Sequence, residues 1–303
     1  VINEMTNLEI EAFWAVATLG NLTKASESLY ITQPALTRRI QSLEEELGYS
    51  LFVRQKGSRQ ISLTHAGQSF LYMAEEWLQL YKRFAEFTPG QSLKVFRVSA
   101  LDSLNTCVMI HIYHNFMSAT EDTRLHIMNL HSPEAYIKAE HNLLDLAFIC
   151  DPQHTKYVET CPAFQETMFF LCNMDLTYPQ IVDANSLNCE KMLFAQWTPE
   201  YELWVNHRFN ACCTPYLNLE NMTLIEKFLS TDDCWLIAPA SVAHHLLKNP
   251  RIRMRALVNG PPNRIVYYLL PSKKKQEETT FFLRLLHKYL KGIPGVVSSL
   301  GNP

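Results

Sequence analysis

Gln33, Thr37, Arg38 and Gln41 fall on one face of a predicted helix, offering neutral donors, neutral acceptors and a guanidinium in its first half. Such groups suit base edges and phosphates in a major groove, so the chemistry they imply is recognition rather than bond-making. Glu44, Glu45 and Glu46 follow toward the helix end, where they would repel a close phosphate. On the other face Leu36, Ile40, Leu43 and Leu47 repeat at four, three and four residues, the spacing of a core-facing stripe. Thr32 is placed to cap this helix, Pro34 sits in its first turn where a missing N–H is harmless, and Gly48 can end it in the left-handed conformation. A shorter helix precedes it, with Thr23 as its expected cap, Lys24 next, and Ala25 and Leu29 four apart, small where another helix must come close. Leu51 to Leu63 reads as two extended runs around a Gly57-Ser58 turn, carrying Arg54, Lys56 and Arg59 and no acid, a basic hairpin aimed at phosphate. The plain alternative is an amphipathic helix pair with a solvated polar face; the order and content of the residues favour nucleic-acid contact.

The elements that must position these groups belong to a chain of 303 residues, which suggests about two domains. With 47% hydrophobic and 19% charged residues it can bury substantial cores. A net charge of −3 excludes attachment to nucleic acid or membrane by bulk charge, so any anion site must be a local patch. The apolar runs are far shorter than the roughly 20 residues a bilayer core demands. Val1 to Met5 shows neither a basic nor an apolar leader region, so we expect no signal peptide, no membrane partner and a cytoplasmic location. Eight cysteines, none in a C-x-x-C pair and none before Leu93, are expected to be reduced thiols.

Thr64 to Phe87 contains no proline and, after Gly67, no glycine, and reads as one helix ended by Thr88-Pro89-Gly90. Within it Phe70, Met73, Trp77, Leu80, Phe84 and Phe87 recur at three and four residues, a heptad-like seam about 35 Å long at 1.5 Å per residue. Such a stripe either packs on its own domain or forms a dimer seam, and we expect the latter. Beyond it, β-rich runs (Lys94 to Ser99, Arg124 to Asn129, Asp145 to Ile149) alternate with helical ones (Ser103 to Met117, Pro133 to His141), as in an α/β domain with a mainly parallel sheet. His111-x-x-His114 is a weak metal signal, without a Glu in an H-E-x-x-H frame or a cysteine set, and no metal site is expected. Nine scattered glycines form no G-x-G-x-x-G, G-K-[ST] or G-x-S-x-G motif, so we expect no enzyme. Lys273-Lys274-Lys275 reads as a solvated turn.

The chain resembles the LysR-type transcriptional regulators, a bacterial family of winged helix-turn-helix proteins. The match runs through Leu8, Phe13, Val16, Ala17, the Ala25 to Leu29 helix, Gln33-Pro34-Ala35-Leu36-Thr37, Ile40, Leu43-Glu44, Leu47-Gly48, Leu51-Phe52, Arg54, Leu63-Thr64 and Ala66-Gly67. Ser26 stands where the family usually has a second alanine, and Leu22 where an aromatic is common. The resemblance implies a winged helix-turn-helix over 1–64, a linker and dimerisation helix over 65–90, and a two-lobed α/β effector domain over 91–303, like periplasmic binding proteins. Its lobe I would span about 91–163 and 267–303, and lobe II about 164–266. Gln33, Pro34, Thr37 and Arg38 would face double-stranded DNA, with Arg54 in the wing. A homodimer, and by family habit a homotetramer, would bind a promoter, with RNA polymerase as a further partner.

The looser match beyond residue 91 rests on Leu144-Asp145-Leu146-Ala147-Phe148 and on Arg97 to Leu104. It places a small-molecule effector, and no cofactor, near Leu101, Asp102 and Ser103, with Asn129, His131, Ser132, Trp197, Thr198, Tyr201, Asn218 and Thr223 as further candidates. Asp102 would repel an anionic effector there, or simply cap a helix. In Ser230 to Pro239, Asp232 and Cys234 replace the family's glycines and are expected in the cleft or at its lip. Some family members sense oxidants through a cysteine pair in the middle lobe, where Cys189, Cys212 and Cys213 fall; inert thiols are the plainer reading. The reading from another class is a solute-binding or catalytic α/β protein with an accessory DNA-binding module.

Overall fold

The computed structural model describes residues 5–53, 61–85, 94–153, 155–209, 214–271 and 277–301. The chain divides into two units, Val1–Ser92 and Leu93–Pro303.

Helix α1 (Asn7–Leu19) opens with a reciprocal cap. The Thr6 N–H donates to Glu9 Oε2 at 2.8 Å and the Glu9 N–H to Thr6 Oγ1 at 3.4 Å. After Gly20 come α2 (Leu22–Ser28) and α3 (Gln33–Leu47). Asn21, not Thr23, caps α2: its Oδ1 accepts the N–H groups of Thr23 at 2.8 Å and Lys24 at 3.2 Å. The expectation for Thr23 is corrected because the extended residue lies one place before Leu22, which puts Thr23 inside the helix. Thr32 holds the cap position of α3 but its side chain makes no capping bond, and Gly48 ends the helix at φ 76°. Leu36, Ile40 and Leu43 meet Ile10, Phe13, Val16 and Ala25 in one core. Each large side chain buried in this way contributes about 1.5–3 kcal/mol.

Strands β1 (Phe52–Val53) and β2 (Ser62–Leu63) pair antiparallel as the base of the hairpin. Glu44 corrects the expectation of three exposed acids. It is buried, and its Oε1 accepts the N–H groups of Leu51 at 2.6 Å and Phe52 at 3.2 Å, tying α3 to β1. Helix α4 (His65–Ala85) follows, with Thr64 Oγ1 accepting the Gly67 N–H at 2.9 Å. A Cβ on Gly67 would stand 2.1 Å from the Leu51 carbonyl oxygen, so only glycine fits there. Phe70 packs edge-on against Phe13, centroids 5.0 Å apart, and so belongs to its own unit's core rather than to a seam. Met73, Trp77, Leu80 and Phe84 are exposed along α4.

The second unit holds β3 (Lys94–Ala100), α5 (Asp102–Leu104), a π-helical turn over Asn105–Met109, α6 (Ile110–Ala119), β4 (Thr123–Asn129), α7 (Ser132–Glu140) and β5 (Leu146–Ile149). Then come β6 (Val158–Glu166), β7 (Met168–Asn173), β8 (Ile181–Asp183), β9 (Leu193–Phe194), α8 (Pro199–Phe209) and β10 (Leu217–Asn218). The chain ends through α9 (Met222–Thr231), β11 (Trp235–Pro239), α10 (Ala240–Leu246), β12 (Ile252–Val258), β13 (Arg264–Pro271), α11 (Glu277–Leu290) and β14 (Val296–Ser298). One lobe is a six-stranded sheet, order β14-β6-β13-β5-β3-β4, and the other a four-stranded sheet, order β11-β7-β12-β8.

The mainly parallel sheet expected from the alternation is corrected. β3 runs parallel to β4 and β5, but β13 with β5, β13 with β6 and β14 with β6 are antiparallel. In the other lobe, too, β7 pairs antiparallel with both β11 and β12. The reason is topological: β6 leaves the first lobe and β13 brings the chain back beside it in the opposite direction. β5 is buried on both faces, Leu146 and Phe148 toward one core cluster and Ala147 and Ile149 toward the other, as the period of two requires. Asp145 just before it accepts the N–H of Arg97 at 2.8 Å and its Nε at 3.1 Å, pinning β5 to β3. Cys107, Cys150, Cys161, Cys172 and Cys234 are free, whereas Cys189 is disulfide-bonded. That corrects the expectation of thiols throughout; a bridge depends on a spatial approach of about 4–7 Å between Cα atoms, which spacing in the sequence does not display.

Candidate functional site

Two surfaces concern function. In the first unit the N-terminal half of α3 presents Gln33, Pro34, Arg38 and Gln41 to solvent, above the buried Leu36 and Ile40. Thr37 is half-buried and its hydroxyl donates to the Gln33 carbonyl at 3.0 Å, so toward a ligand it serves as an acceptor. Thr32 is exposed before the helix, and Thr23 and Lys24 are exposed at the start of α2. The turn between the helices holds a group the sequence did not mark: Tyr30 is 97% exposed and sits at φ 54°. A non-glycine residue in the left-handed region is uncommon, and a tyrosine there stands against its local preference. Arg54, Lys56 and Arg59 lie outside the described residues, as do Phe87, Cys212, Cys213 and Lys273 to Lys275.

In the second unit a cavity of about 510 Å³ opens between the lobes, at the carboxyl ends of the parallel strands β3, β4 and β5. Ligands favour that end of an open α/β sheet because the following helices begin there. Leu101, Asp102, Ser103, Asn129, His131 and Ser132 line it from the first lobe, and Trp197 and Thr198 from the second. The polar groups at its walls are bonded inward. The Asp151 N–H donates to Ser132 Oγ at 3.2 Å, the Tyr201 N–H to Thr198 Oγ1 at 3.1 Å, and Trp197 Nε1 to the Ile237 carbonyl at 2.7 Å. Asp102 lines the cavity and does not cap α5, whose cap position is Leu101. Its Oδ2 accepts the N–H of Met222 at 2.9 Å, a bond from one lobe to the first residue of α9 in the other.

Behind the cavity the two crossover strands meet at a fully buried ion pair. Arg264 opens β13 opposite Glu166 at the end of β6, and its Nε donates to Glu166 Oε2 at 2.7 Å. Its other nitrogens donate to Ser103 Oγ at 3.2 Å and Ser241 Oγ at 3.3 Å, while the Ser241 N–H donates to Glu166 Oε1 at 2.9 Å. The guanidinium also stands 5.8 Å from the Trp197 ring centroid. Burial opposes its charge most strongly, but the charge and hydrogen bond of Glu166, with the nearby Cys150 and Cys107 sulfurs, together hold Arg264 above its ordinary pKa. Cys150, at the cavity wall, is pushed up to about 11 by burial and stays a thiol.

With both surfaces in place, comparison with known proteins is decisive. Residues 8–68 match the sequence model of the bacterial regulatory helix-turn-helix protein, lysR family, and residues 89–291 that of the LysR substrate binding domain. The chain belongs to the LysR family. Among its relatives is the HTH-type transcriptional regulator YofA of Bacillus velezensis, 30% identical over 172 residues, 56% of this chain and 59% of that one. The LysR-family structure of CbnR has a TM-score of 0.67 at 18% identity, covering 94% of this chain and 99% of that chain. The structure of full-length CbnR complexed with its target DNA also gives 0.67, at 19% identity over 94% and 99%. Among the described residues no helix is long and apolar enough to cross a membrane.

Five of the residues expected in the LysR cleft stand away from it, each displaced along the chain from the residues that line it. Tyr201 is fully buried one turn into α8, stacked between Phe194 and Trp204. Asn218 and Thr223 are exposed on either side of the Leu219, Glu220 and Asn221 segment that does line the cavity. Asp232, about 15 Å along from the start of α9, accepts the Tyr216 hydroxyl at 2.8 Å. Cys234 is 0% exposed, and burial pushes its thiol up to about 12. Asp151 and Glu220 went unmarked in the sequence; each stands two residues past a strand, β5 and β10, and only β5 is long enough to show a pattern. His111 lies against the Tyr289 ring, centroids 4.9 Å apart, and among the described residues no three potential metal ligands gather.

Proposed function

We propose that this chain is a sequence-specific DNA-binding transcriptional regulator whose operator binding responds to a small organic effector held between the lobes of its second unit. The carrying observation is the solvent-facing set Gln33, Pro34, Arg38 and Gln41 over the buried stripe of α3, in a chain matched by both LysR sequence models. Exposed amide and guanidinium groups at the start of a recognition helix have few other uses. The exposed Met73, Trp77, Leu80 and Phe84 supply the seam for a homodimer, which would offer two recognition helices to two half-sites. An effector that closes the cleft would bias the paired DNA-binding units, and by reciprocity the operator would change effector affinity by the same factor.

Selection from a random duplex library at fixed salt tests the reading. The full chain is expected to enrich an interrupted dyad, while Thr37→Ala/Arg38→Ala, with loss of about 1–3 kcal/mol per base-edge contact, enriches nothing. A folded wild type that enriches no sequence, with or without cell-extract metabolites, defeats the proposal. Cys189 favours a second reading, in which its disulfide sets operator affinity. Equal operator affinity after dithiothreitol and after peroxide disposes of it.

A further inference from the structure

We propose that the cleft takes an organic cation, an ammonium or guanidinium group carried on an apolar body, with Asp102 as its counter-charge. This rests on the reading of the cavity as an effector site. Among the described residues of its lining, the formal charges are the carboxylates of Asp102, Asp151 and Glu220, and the basic side chain is the imidazole of His131. No lysine or arginine stands among them. The nearby guanidinium, Arg264, lies fully buried and is neutralised by Glu166.

Of the helix starts at the cavity, those of α8 and α9 are occupied from within; those of α5 and α7 carry no side-chain cap, but each holds an acid in its first turn, Asp102 and Glu134, and Pro133 removes one donor from α7. At α8 the Tyr201 N–H is taken by Thr198. At α9 Asn221 Oδ1 accepts the N–H groups of Thr223 at 3.0 Å and Leu224 at 3.2 Å, and Asp102 accepts that of Met222. Three donors at the head of a ten-residue helix are thus spent on the chain's own oxygens, one of them a carboxylate. An anionic effector would meet that carboxylate where its favourable dipole should be. A cation instead finds Asp102 held in place by Met222, with Oδ1 free of hydrogen bonds among the described residues. Leu101, Leu130, Pro133, Pro199 and Leu219 give the cavity apolar walls, suited to the body that carries the charge.

Calorimetric titration of the full chain with matched pairs decides the matter: phenethylamine against phenylacetate, cadaverine against glutarate, agmatine against adipate. We expect the amine of at least one pair to bind at least about tenfold more tightly than its carboxylate, since opposite charges a few ångströms apart in a partly desolvated site are worth that much. Asp102→Asn keeps an oxygen for the Met222 N–H and is expected to bring the ratio near one. Glu220→Gln, on the exposed side, should lower it less. A carboxylate that binds more tightly than its amine overturns the cation while leaving the cleft an effector site, and a preference that survives Asp102→Asn overturns the assignment of Asp102. Binding of no member of any pair overturns the effector reading and this inference together.

Discussion

The reading face of α3 and the cleft of the second unit handle polar groups in opposite ways. On α3 the Gln33, Arg38 and Gln41 side chains stand in solvent above an apolar core, and the buried carboxylate of Glu44 is spent on two backbone N–H groups. Around the cleft, hydroxyls, carboxylates and a guanidinium are bonded to one another across segments more than a hundred residues apart, as in Arg264 with Ser103 and Met222 with Asp102. A surface that must meet an unbonded partner keeps its groups hydrated until contact. A site between two lobes must fix its walls first, and internal bonds do that at the expense of free donors. The first unit should therefore depend on apolar packing and local caps, and the second on its buried polar junction.

The largest effect expected from that difference is at Arg264. Replacing it with methionine leaves Glu166 as a buried charge without its partner, 0% exposed and still facing the Ser241 N–H. Breaking such a pair from one side costs about 3–5 kcal/mol. Urea unfolding followed through Trp197, Trp204 and Trp235 should show that loss in the second unit, with the first unit's midpoint unmoved. A loss below about 1 kcal/mol would mean that the junction relaxes or admits water, and that the cleft is no more dependent on buried charge than α3 is.

Glu44→Ala sharpens the comparison from the other side. It strands the N–H groups of Leu51 and Phe52, both in buried residues, at about 1–3 kcal/mol for an unsatisfied group. The expected cost is about 2–4 kcal/mol in the first unit alone, read by thermal unfolding of the two-unit chain. If it equals the cost at Arg264, the contrast between an apolar and a polar unit collapses to a difference in the number of such bonds.

How much of this was legible depended on sequence distance. The α3 stripe, Gly48 and the wing strands are local patterns, and four or five residues suffice to state them. The cleft collects side chains from segments near 101, 129, 150, 197 and 220; the sequence displayed the strands leading to the first three, while the two-residue strands before the last two, and the helix phases, it did not. That is why Leu101, Asp102, Ser103, Asn129, His131 and Ser132 line the cavity, while Tyr201 and Thr223 stand away from it on neighbouring positions of their elements. Glu44 was misjudged for the same reason: its partners lie at the entry to a strand, seven and eight residues on, and only the fold brings them within 3.2 Å. Antiparallel pairing of β13 with β5 likewise depends on the return crossing from the other lobe.

The smallest expected effect tests the most local statement of all. Asn21 accepts the N–H groups of both Thr23 and Lys24 from an extended backbone at φ −151°, whereas Thr23 already has helical neighbours on both sides. Asn21→Ala removes a capping oxygen and should cost about 1 kcal/mol. Thr23→Ala should cost no more than a few tenths, since alanine is the better helix former at an exposed interior position. Chemical denaturation of the two variants side by side measures the difference. Because α2 packs on α3 through buried Ala25, loosening its start should also blur the placement of the reading face. Equal losses at the two positions would restore Thr23 as the cap and move the start of α2 by one or two residues toward the C-terminus.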